Sequence, residues 1–284
     1  MAPIVTVALP VLDGGPLLGE VLAAVSGQQL DRPVELLVID SGSTDGSQEL
    51  ARRHGARVVE IPRDEFGHGR TRNRLMELAK GEHVAFLTQD SEPAHPGWLA
   101  ALMDGFGENV ALVFGPHRPR SDASPMVRRE LLELFHRMDD EHPFFSSANG
   151  AVARWAWQRV PFRDVGYAED MVLARDMLAA GFRKVYAPGA EVLHSHDHPP
   201  LPAFRRYFAD FRALGAVNGL REPLSPRYIA ARVRSDVSRD RAFMRREGLE
   251  MQTLRSLGHH VARALGRSLG TNADRLPWGR RRRR

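Results

Sequence analysis

The chain has 284 residues, 43% hydrophobic and 26% charged, enough for one large α/β domain or for a domain with a helical appendage. Cysteine is absent, which excludes disulfides, thiolate zinc sites and a Cys nucleophile and fits a reducing compartment. Residues 204–284 hold 20 Arg against 7 acidic residues, a net of +13, which leaves −8 on residues 1–203 of a chain whose total is +5; so basic a last third implies an anionic partner such as a membrane surface, a lipid diphosphate or nucleic acid.

The opening MAPIVTVALP has neither the basic region nor the long apolar run of a secretory signal. No stretch approaches the roughly 18 apolar residues that a membrane-spanning helix needs. The expectation is a soluble or surface-attached cytoplasmic protein.

Taken in chain order, the first half alternates β-branched runs with helical patterns. A strand is expected at 4–10 (IVTVALP), then a helix near 16–28 with Leu17, Leu18, Val21, Leu22 and Val25 on one face. A buried strand at 34–40 (VELLVID) and a helix at 45–54 follow, then a strand at 56–62 and a helix at 70–80. The run 82–90 (EHVAFLTQD) reads as a fourth strand and GWLAALMDGF as a fourth helix. Continuous apolar strands joined by crossover helices imply a parallel, doubly wound sheet, whose ligands sit beyond the carboxyl ends of the strands. Chemistry is therefore sought in Pro10 to Asp13, Asp40 to Asp45 and Thr88 to Glu92.

Residues 115–165 are less regular, with a helix expected at 124–140 and a strand in PFFSSANGAVAR. A helix over 168–181 opens with two acids, which suits the positive end of its dipole. KVYAPGAEVLHSHDHP reads as two short strands ending in histidines. Beyond 202 the chain turns helical: Phe204, Tyr207, Phe208, Phe211 and Leu214 share a face, as do Leu254, Leu257, Val261 and Leu265. The terminal RRRRR is expected to fray.

Five constellations could carry chemistry. In LLVIDSGSTDGS, Asp40 ends a strand, where its carboxylate can accept from a nucleobase or ribose, or where Ser43, Thr44 or Asp45 can cap the next helix. In FGHGRTRNRL, Arg70, Arg72 and Arg74 crowd a helix start beside Gly67 and Gly69, which suits a diphosphate or an exposed basic helix. In FLTQDSEP, Asp90 and Glu92 can hold Mg²⁺ or Mn²⁺ against two phosphates, or end a strand as solvated acids. Glu169 and Asp170 can divide positioning and general-base roles, or simply complement a helix dipole. His194, His196 and His198 alternate at strand spacing, so all three can face one side and one can ligate a metal. No Walker-A string and no GxGxxG occurs.

Read together and in order, VALPVLDGG, VIDSGSTDGS, FGHGRTRN, AKGEHVAFLTQDSEP, SSANGAVARWAW, VPF, YAEDMVLARDMLAAGF, APGAEVLHSHDH and FRRYF resemble the family 2 glycosyltransferases of the GT-A fold, and more closely their bacterial rhamnosyltransferase branch. The resemblance spans about residues 3–210. It implies an α/β fold with a Rossmann-like, mostly parallel sheet flanked by helices over 1–203, followed by a basic amphipathic helical extension over 204–284.

The resemblance also implies roles. Pro10, Asp13 and Asp40 would line a nucleoside pocket, Arg72 and Asn73 would follow the ribose-diphosphate path, and Asn149 would approach donor sugar or acceptor. Asp90 matches the last acid of the family's DxD metal motif, whose first Asp is Gln89 here; Glu92 could compensate for the lost charge. His194 matches the family's metal-ligating His, with His196 as fallback, so the implied cofactor is Mg²⁺ or Mn²⁺. Asp170 matches the general base and Glu169 would orient it or the acceptor. Such an enzyme takes a dTDP- or UDP-linked sugar, dTDP-rhamnose first, to a saccharide or polyprenyl-diphosphate-linked acceptor with inversion, in cell-surface polysaccharide assembly. The extension would cap the acceptor groove, hold a homodimer or dock on an anionic membrane, with Arg205 and Arg206 toward acceptor phosphate; a nucleic acid partner is not expected on this reading. Two other readings compete. One is a non-catalytic nucleotide- or nucleic-acid-binding module on the same fold. The other is a nucleotidylyltransferase, which would need a Gly-rich signature that LPVLDGGPL does not supply.

Overall fold

The computed structural model describes residues 4–142 and 144–276. It divides the chain into two compact units, Met1–Arg120 with Leu134–His194, and Ser121–Glu133 with Ser195–Arg284. The division falls nine residues ahead of the expected boundary at 203/204, and the second unit also takes in 121–133.

The first unit begins β1 (Val5–Val11), α1 (Gly15–Ser26), β2 (Val34–Asp40), α2 (Ser47–Arg53), β3 (Arg57–Glu60), α3 (His68–Leu78), β4 (His83–Leu87) and β5 (Glu92–Pro93). It continues through α4 (Trp98–Asp104), β6 (Val110–Phe114) and β7 (His117–Arg118); α5 (Pro125–Phe135) begins in the second unit, and β8 (Asn149–Ala153), α6 (Arg154–Trp157), α7 (Glu169–Ala179), β9 (Arg183–Tyr186) and β10 (Val192–Leu193) complete the first. Seven strands form one sheet in the order β3-β2-β1-β4-β8-β6-β9, and β5, β10 and β7 form a small second one.

The sheet is mixed rather than wholly parallel: β8 runs antiparallel to both β4 and β6. The chain leaves β6 at the carboxyl end, makes β7 and α5, and re-enters from the same end, so β8 must run back. The strand β6 is not among those expected from the sequence, although Val110–Phe114 is buried throughout. Core packing follows the apolar periodicities: Leu18, Val21, Leu22 and Val25 of α1 are buried with Val5, Val7 and Leu9 of β1 and Trp98 of α4. Because β1 pairs with β2 on one side and β4 on the other, strand order reverses between β1 and β4, the switch point at whose carboxyl ends such sheets form their ligand crevice.

The second unit continues with α8 (Pro200–Asn218), α9 (Pro226–Arg246) and α10 (Thr253–Thr271). The backbones of α8 and α10 approach closely because Gly266 and Gly270 face α8: a Cβ on Gly266 would lie 2.7 Å from Cβ of Tyr207, and one on Gly270 would lie 2.6 Å from O of Phe208. Thus α10 meets α8 through its small residues and not through the Leu254–Leu265 face. Among the described residues, no helix is long and apolar enough to cross a membrane. The Arg280–Arg284 tract lies outside the described residues.

Candidate active site

The crevice is framed by backbone and by side chains that hold one another. Four successive backbone N–H groups lead from β1 into α1, and each donates to a side chain. Leu12 N donates to Gln89 Oε1 (2.9 Å), Asp13 N to Ser43 Oγ (2.8 Å), Gly14 N to Ser47 Oγ (2.9 Å) and Gly15 N to Asp45 Oδ2 (3.0 Å). Helix α1 has no side-chain cap of its own, so the hydroxyls and carboxylate of DSGSTDGS satisfy its exposed donors from the neighbouring loop. Gln89 also donates from Nε2 to Leu12 O (3.1 Å). An aspartate could not make that reciprocal amide pair, which gives Gln89 a reason to stand where the family's motif has an acid.

Asp40 is fully buried and spends its carboxylate on its own turn. Gly42 N, Ser43 N and Gln48 Nε2 donate to Oδ1, and Ser43 Oγ donates to Oδ2 at 2.5 Å. Burial alone would raise its pKa; these hydrogen bonds, the Ser43 hydroxyl first, outweigh burial and hold it below the usual carboxylate value. It therefore helps to build the loop. Asp13, in the left-handed region at φ 46°, is exposed and accepts from Thr44 N (2.8 Å), while Pro10 is half-buried in β1. Of the three residues expected to line the nucleoside pocket, Asp13 is the one open to solvent.

The FGHGRTRN string also turns inward. Gly69 is required because a Cβ there would meet Arg163 O at 2.1 Å. Arg70 pairs with Asp164, Arg74 with Glu77, and the buried Arg72 with the buried Glu169 at 2.8 Å. Asn73 is occupied too: Nδ2 donates to Phe162 O, and Oδ1 accepts from Trp157 Nε1 and Phe162 N. Arg72 and Asn73, expected along a diphosphate path, thus both make contacts within the protein, while Arg72 Nε is buried with no hydrogen-bond partner among the described residues. Asn149 is buried as well, its amide donating to Pro116 O and Ala190 O and accepting from Trp98 Nε1. It ties β8 to two loops.

Asp90 Oδ1 stands 3.6 Å from His194 Nε2. That is too long for a hydrogen bond and suits two ligands sharing one cation, whose donor atoms sit roughly 3–3.6 Å apart at bond lengths of about 2.1 Å. His194 Nδ1 lies 3.1 Å from Nδ1 of His117, which stacks on Phe135. For His194 Nε2 to offer a lone pair, its proton must sit on Nδ1 and be donated to His117. No sequence motif marks His117; it is 77 residues from its partner, and only the β7–β10 pairing brings them together. Glu92, expected to compensate for Gln89, pairs instead with Arg120 at 3.2 Å, a cation that disfavours a second one there. The strand alternation expected for the histidines ends at Leu193, so His196 and His198 belong to the second unit, with stacked rings 5.5 Å apart.

Helix α7 opens after Ala168, a non-glycine residue in the left-handed region at φ 61°. Asp170 accepts from Ser147 N (3.0 Å) and from Met171 N (2.8 Å). Ser147 lies two residues before Asn149, which pairs with Leu87, the last residue of β4, so Asp170 stands at the sheet end that also carries Asp90. Burial is the largest influence on Asp170 and the adjacent Glu169 carboxylate the next; together they push its pKa up to about 6 against the opposing pull of Arg72. Glu169, 5% exposed and locked to Arg72, is closed to an acceptor and acts on Asp170 through charge.

A partly open carboxyl with a raised pKa and a cation-spaced Asp–His pair thus stand at the carboxyl end of the sheet. Comparison with known proteins gives the family. The O-antigen chain rhamnosyltransferase RfbN of Salmonella typhimurium is 30% identical over 222 residues, covering 72% of this chain and 70% of its own length. WbaN of Salmonella anatum, also an O-antigen chain rhamnosyltransferase, is 31% identical over 64% of this chain, which spans only 62% of that relative's length. The N-acetylglucosaminyl-diphospho-decaprenol L-rhamnosyltransferase of Mycobacterium tuberculosis is 27% identical over 70% of this chain and 78% of its own. Among solved structures, a Pyrobaculum calidifontis mannosyltransferase in complex with GDP-Man and Mn²⁺ superposes with a TM-score of 0.65 at 20% identity, covering 95% of this chain and 88% of that one. Glucosyl-3-phosphoglycerate synthase from Mycobacterium tuberculosis, in complex with Mg²⁺ and UDP, gives 0.57 at 25% identity, over 78% and 81%. The fold is therefore the GT-A fold expected from the sequence. The sequence profile of glycosyl transferase family 2 matches residues 6–165, more than half the chain, and the chain belongs to that family.

Proposed function

We propose that the chain transfers a sugar, L-rhamnose from dTDP-rhamnose, to an acceptor hydroxyl with inversion, in the assembly of a cell-surface polysaccharide. The observation that carries this reading is Asp170, one partly open carboxyl tuned to about pH 6 at the sheet end that bears Asp90. At neutral pH it is mostly ionised yet basic enough to take a proton, as a general base should be. Asp170 would take the acceptor proton as that oxygen attacks the anomeric carbon, opposite the departing diphosphate. Glu169 and Arg72 would set its basicity, and no residue need form a covalent intermediate. Asp90 and His194 would hold Mg²⁺ or Mn²⁺, which when bound supplies positive charge against the diphosphate. His117 would keep the proton on His194 Nδ1.

The rhamnosyl donor is supported by the rhamnosyltransferases among the relatives, and the polyprenyl-diphosphate-linked acceptor by the decaprenol-linked substrate named for one of them. A site of action in the cytoplasm, at the inner face of the membrane, goes with both substrates. The test is a donor screen: dTDP-rhamnose, UDP-glucose and GDP-mannose with Mn²⁺ or Mg²⁺, read by release of free sugar and by transfer to a lipid-diphosphate acceptor. Turnover is expected with dTDP-rhamnose, with metal required. Metal-dependent nucleotide binding with no turnover of any donor would favour a binding module instead.

A further inference from the structure

The second unit leaves a face of α9 and α10 uncovered. Along α10, Leu254, Leu257, Val261, Leu265 and Leu269 recur at steps of three and four residues and form one stripe. The close approach of Gly266 and Gly270 to α8 turns this stripe outward, so Leu254 is 84% exposed and Leu257 and Val261 also stand in solvent. Across a groove of about 700 Å³ stand Pro226, Ile229, Ala230 and Val233 of α9.

A row of charge runs beside this groove. Arg227, Arg234 and Arg241 follow one another on α9 at seven-residue steps, and Arg245 comes four residues later, five full turns from Arg227. All four are exposed, Arg234 lines the groove, and none pairs with a carboxylate among the described residues. Other arginines of the same unit are neutralised: Arg129 and Arg239 by Glu133, Arg255 by Asp197, Arg263 by Glu130, Arg267 by Glu222. The sequence then closes on five further consecutive arginines at 280–284.

We infer that this face docks on an anionic lipid bilayer, the α10 stripe entering the acyl-chain boundary while the α9 arginines meet lipid phosphates. An apolar stripe flanked by unpaired cations is the pattern that lies in a membrane interface. A second copy of the chain fits less well, because two-fold pairing of this face would bring two unneutralised arginine rows together. Nucleic acid would use the arginines and leave the apolar stripe without a role. The inference goes with the lipid-linked acceptor proposed above and is tested apart from it.

The test is co-sedimentation of the full chain with sucrose-loaded vesicles of phosphatidylcholine alone or mixed with phosphatidylglycerol. Two variants are compared, Leu254→Glu/Leu257→Glu and Arg227→Gln/Arg234→Gln/Arg241→Gln, both confined to exposed positions. Binding is expected with the anionic vesicles and not with the neutral ones. At about five-fold per charge near an anionic surface, the triple Arg variant should bind roughly a hundred-fold more weakly, and the Glu variant should also lose binding. Release of free sugar from the donor should be the same in all three proteins, so a failed donor screen leaves this result readable. The inference is overturned if wild type ignores anionic vesicles or if either variant binds them as wild type does. It is equally overturned if light scattering without lipid shows a dimer that both variants abolish.

Discussion

Two aspartates, one in each unit, show how the same side chain is made reactive or inert. Asp170 lies with Glu169 and Arg72, two carboxylates against one guanidinium, and the Glu169–Arg72 pair is already closed at 2.8 Å. Its charge is under-compensated, and its pKa rises to about 6. Asp240 accepts from Arg129 Nε (2.5 Å), Ser256 Oγ (2.5 Å) and His260 Nε2 (2.7 Å). Burial raises its pKa too, but those three donors overcome it, His260 first, and bring it down to about 2. The difference lies in who already owns the nearby cation, and it separates a group poised to exchange protons from one that pins helices together.

The comparison can be broken at either end, and the largest effect is expected at Asp170. Asp170→Asn removes the proton acceptor alone, so the transfer rate should fall by about 10²–10⁴-fold while calorimetry shows nucleotide binding nearly unchanged. In the second unit, Asp240→Asn leaves Arg129 with Glu133 as its remaining close carboxylate and should cost about 1.5–3 kcal/mol of stability by urea unfolding, with the first unit's nucleotide binding retained. With its depressed pKa, the stabilisation from Asp240 is present above pH 3.8 and lost as pH falls toward 2. Asp170 has the opposite sign: between pH 3.8 and about 6 its rising ionisation takes stability away.

Smaller changes sharpen the contrast. His117→Ala removes the acceptor for the His194 Nδ1 proton and should weaken Mn²⁺ binding by about 10–100-fold, read by calorimetry without donor present. Glu169→Gln removes the neighbouring carboxylate that raises the Asp170 pKa, so the acid limb of the rate profile should move to lower pH. An unchanged limb would mean that Glu169 does not set the basicity of Asp170.

Much of the first unit was legible because its periodicities are local. VELLVID is β2 to the residue, and of the face read for α1 Leu18, Val21, Leu22 and Val25 are buried while Leu17 is only half-buried. The strand-end position of Asp40 was equally plain, since the apolar run stops there, whereas β4 ends at Leu87 and leaves Asp90 three residues beyond it, short of the strand expected over 82–90. What residue types cannot reveal is who has claimed them. Arg72 reads as a phosphate cation until Glu169, 97 positions away, closes on it, and Gln89 reads as a weakened metal ligand until Leu12 is found across the crevice. Asn149 reads as a sugar contact and also braces β8 through three internal hydrogen bonds. His117 shows the same effect in reverse, a residue with no local motif made useful by a distant partner. In the second unit, amphipathicity foretells helices but not which face packs, because Gly266 and Gly270 decide that through backbone approach and carry no hydrophobic signal.

The most direct measurement is the pH dependence of sugar transfer with saturating Mn²⁺, wild type beside Asp170→Asn. The wild-type rate should fall tenfold per unit as pH drops below about 6, because the base must be ionised, and the variant should show only a low residual rate without that limb. A variant that transfers sugar at the wild-type rate, or that keeps the same acid limb, would contradict the assignment of Asp170 as the base.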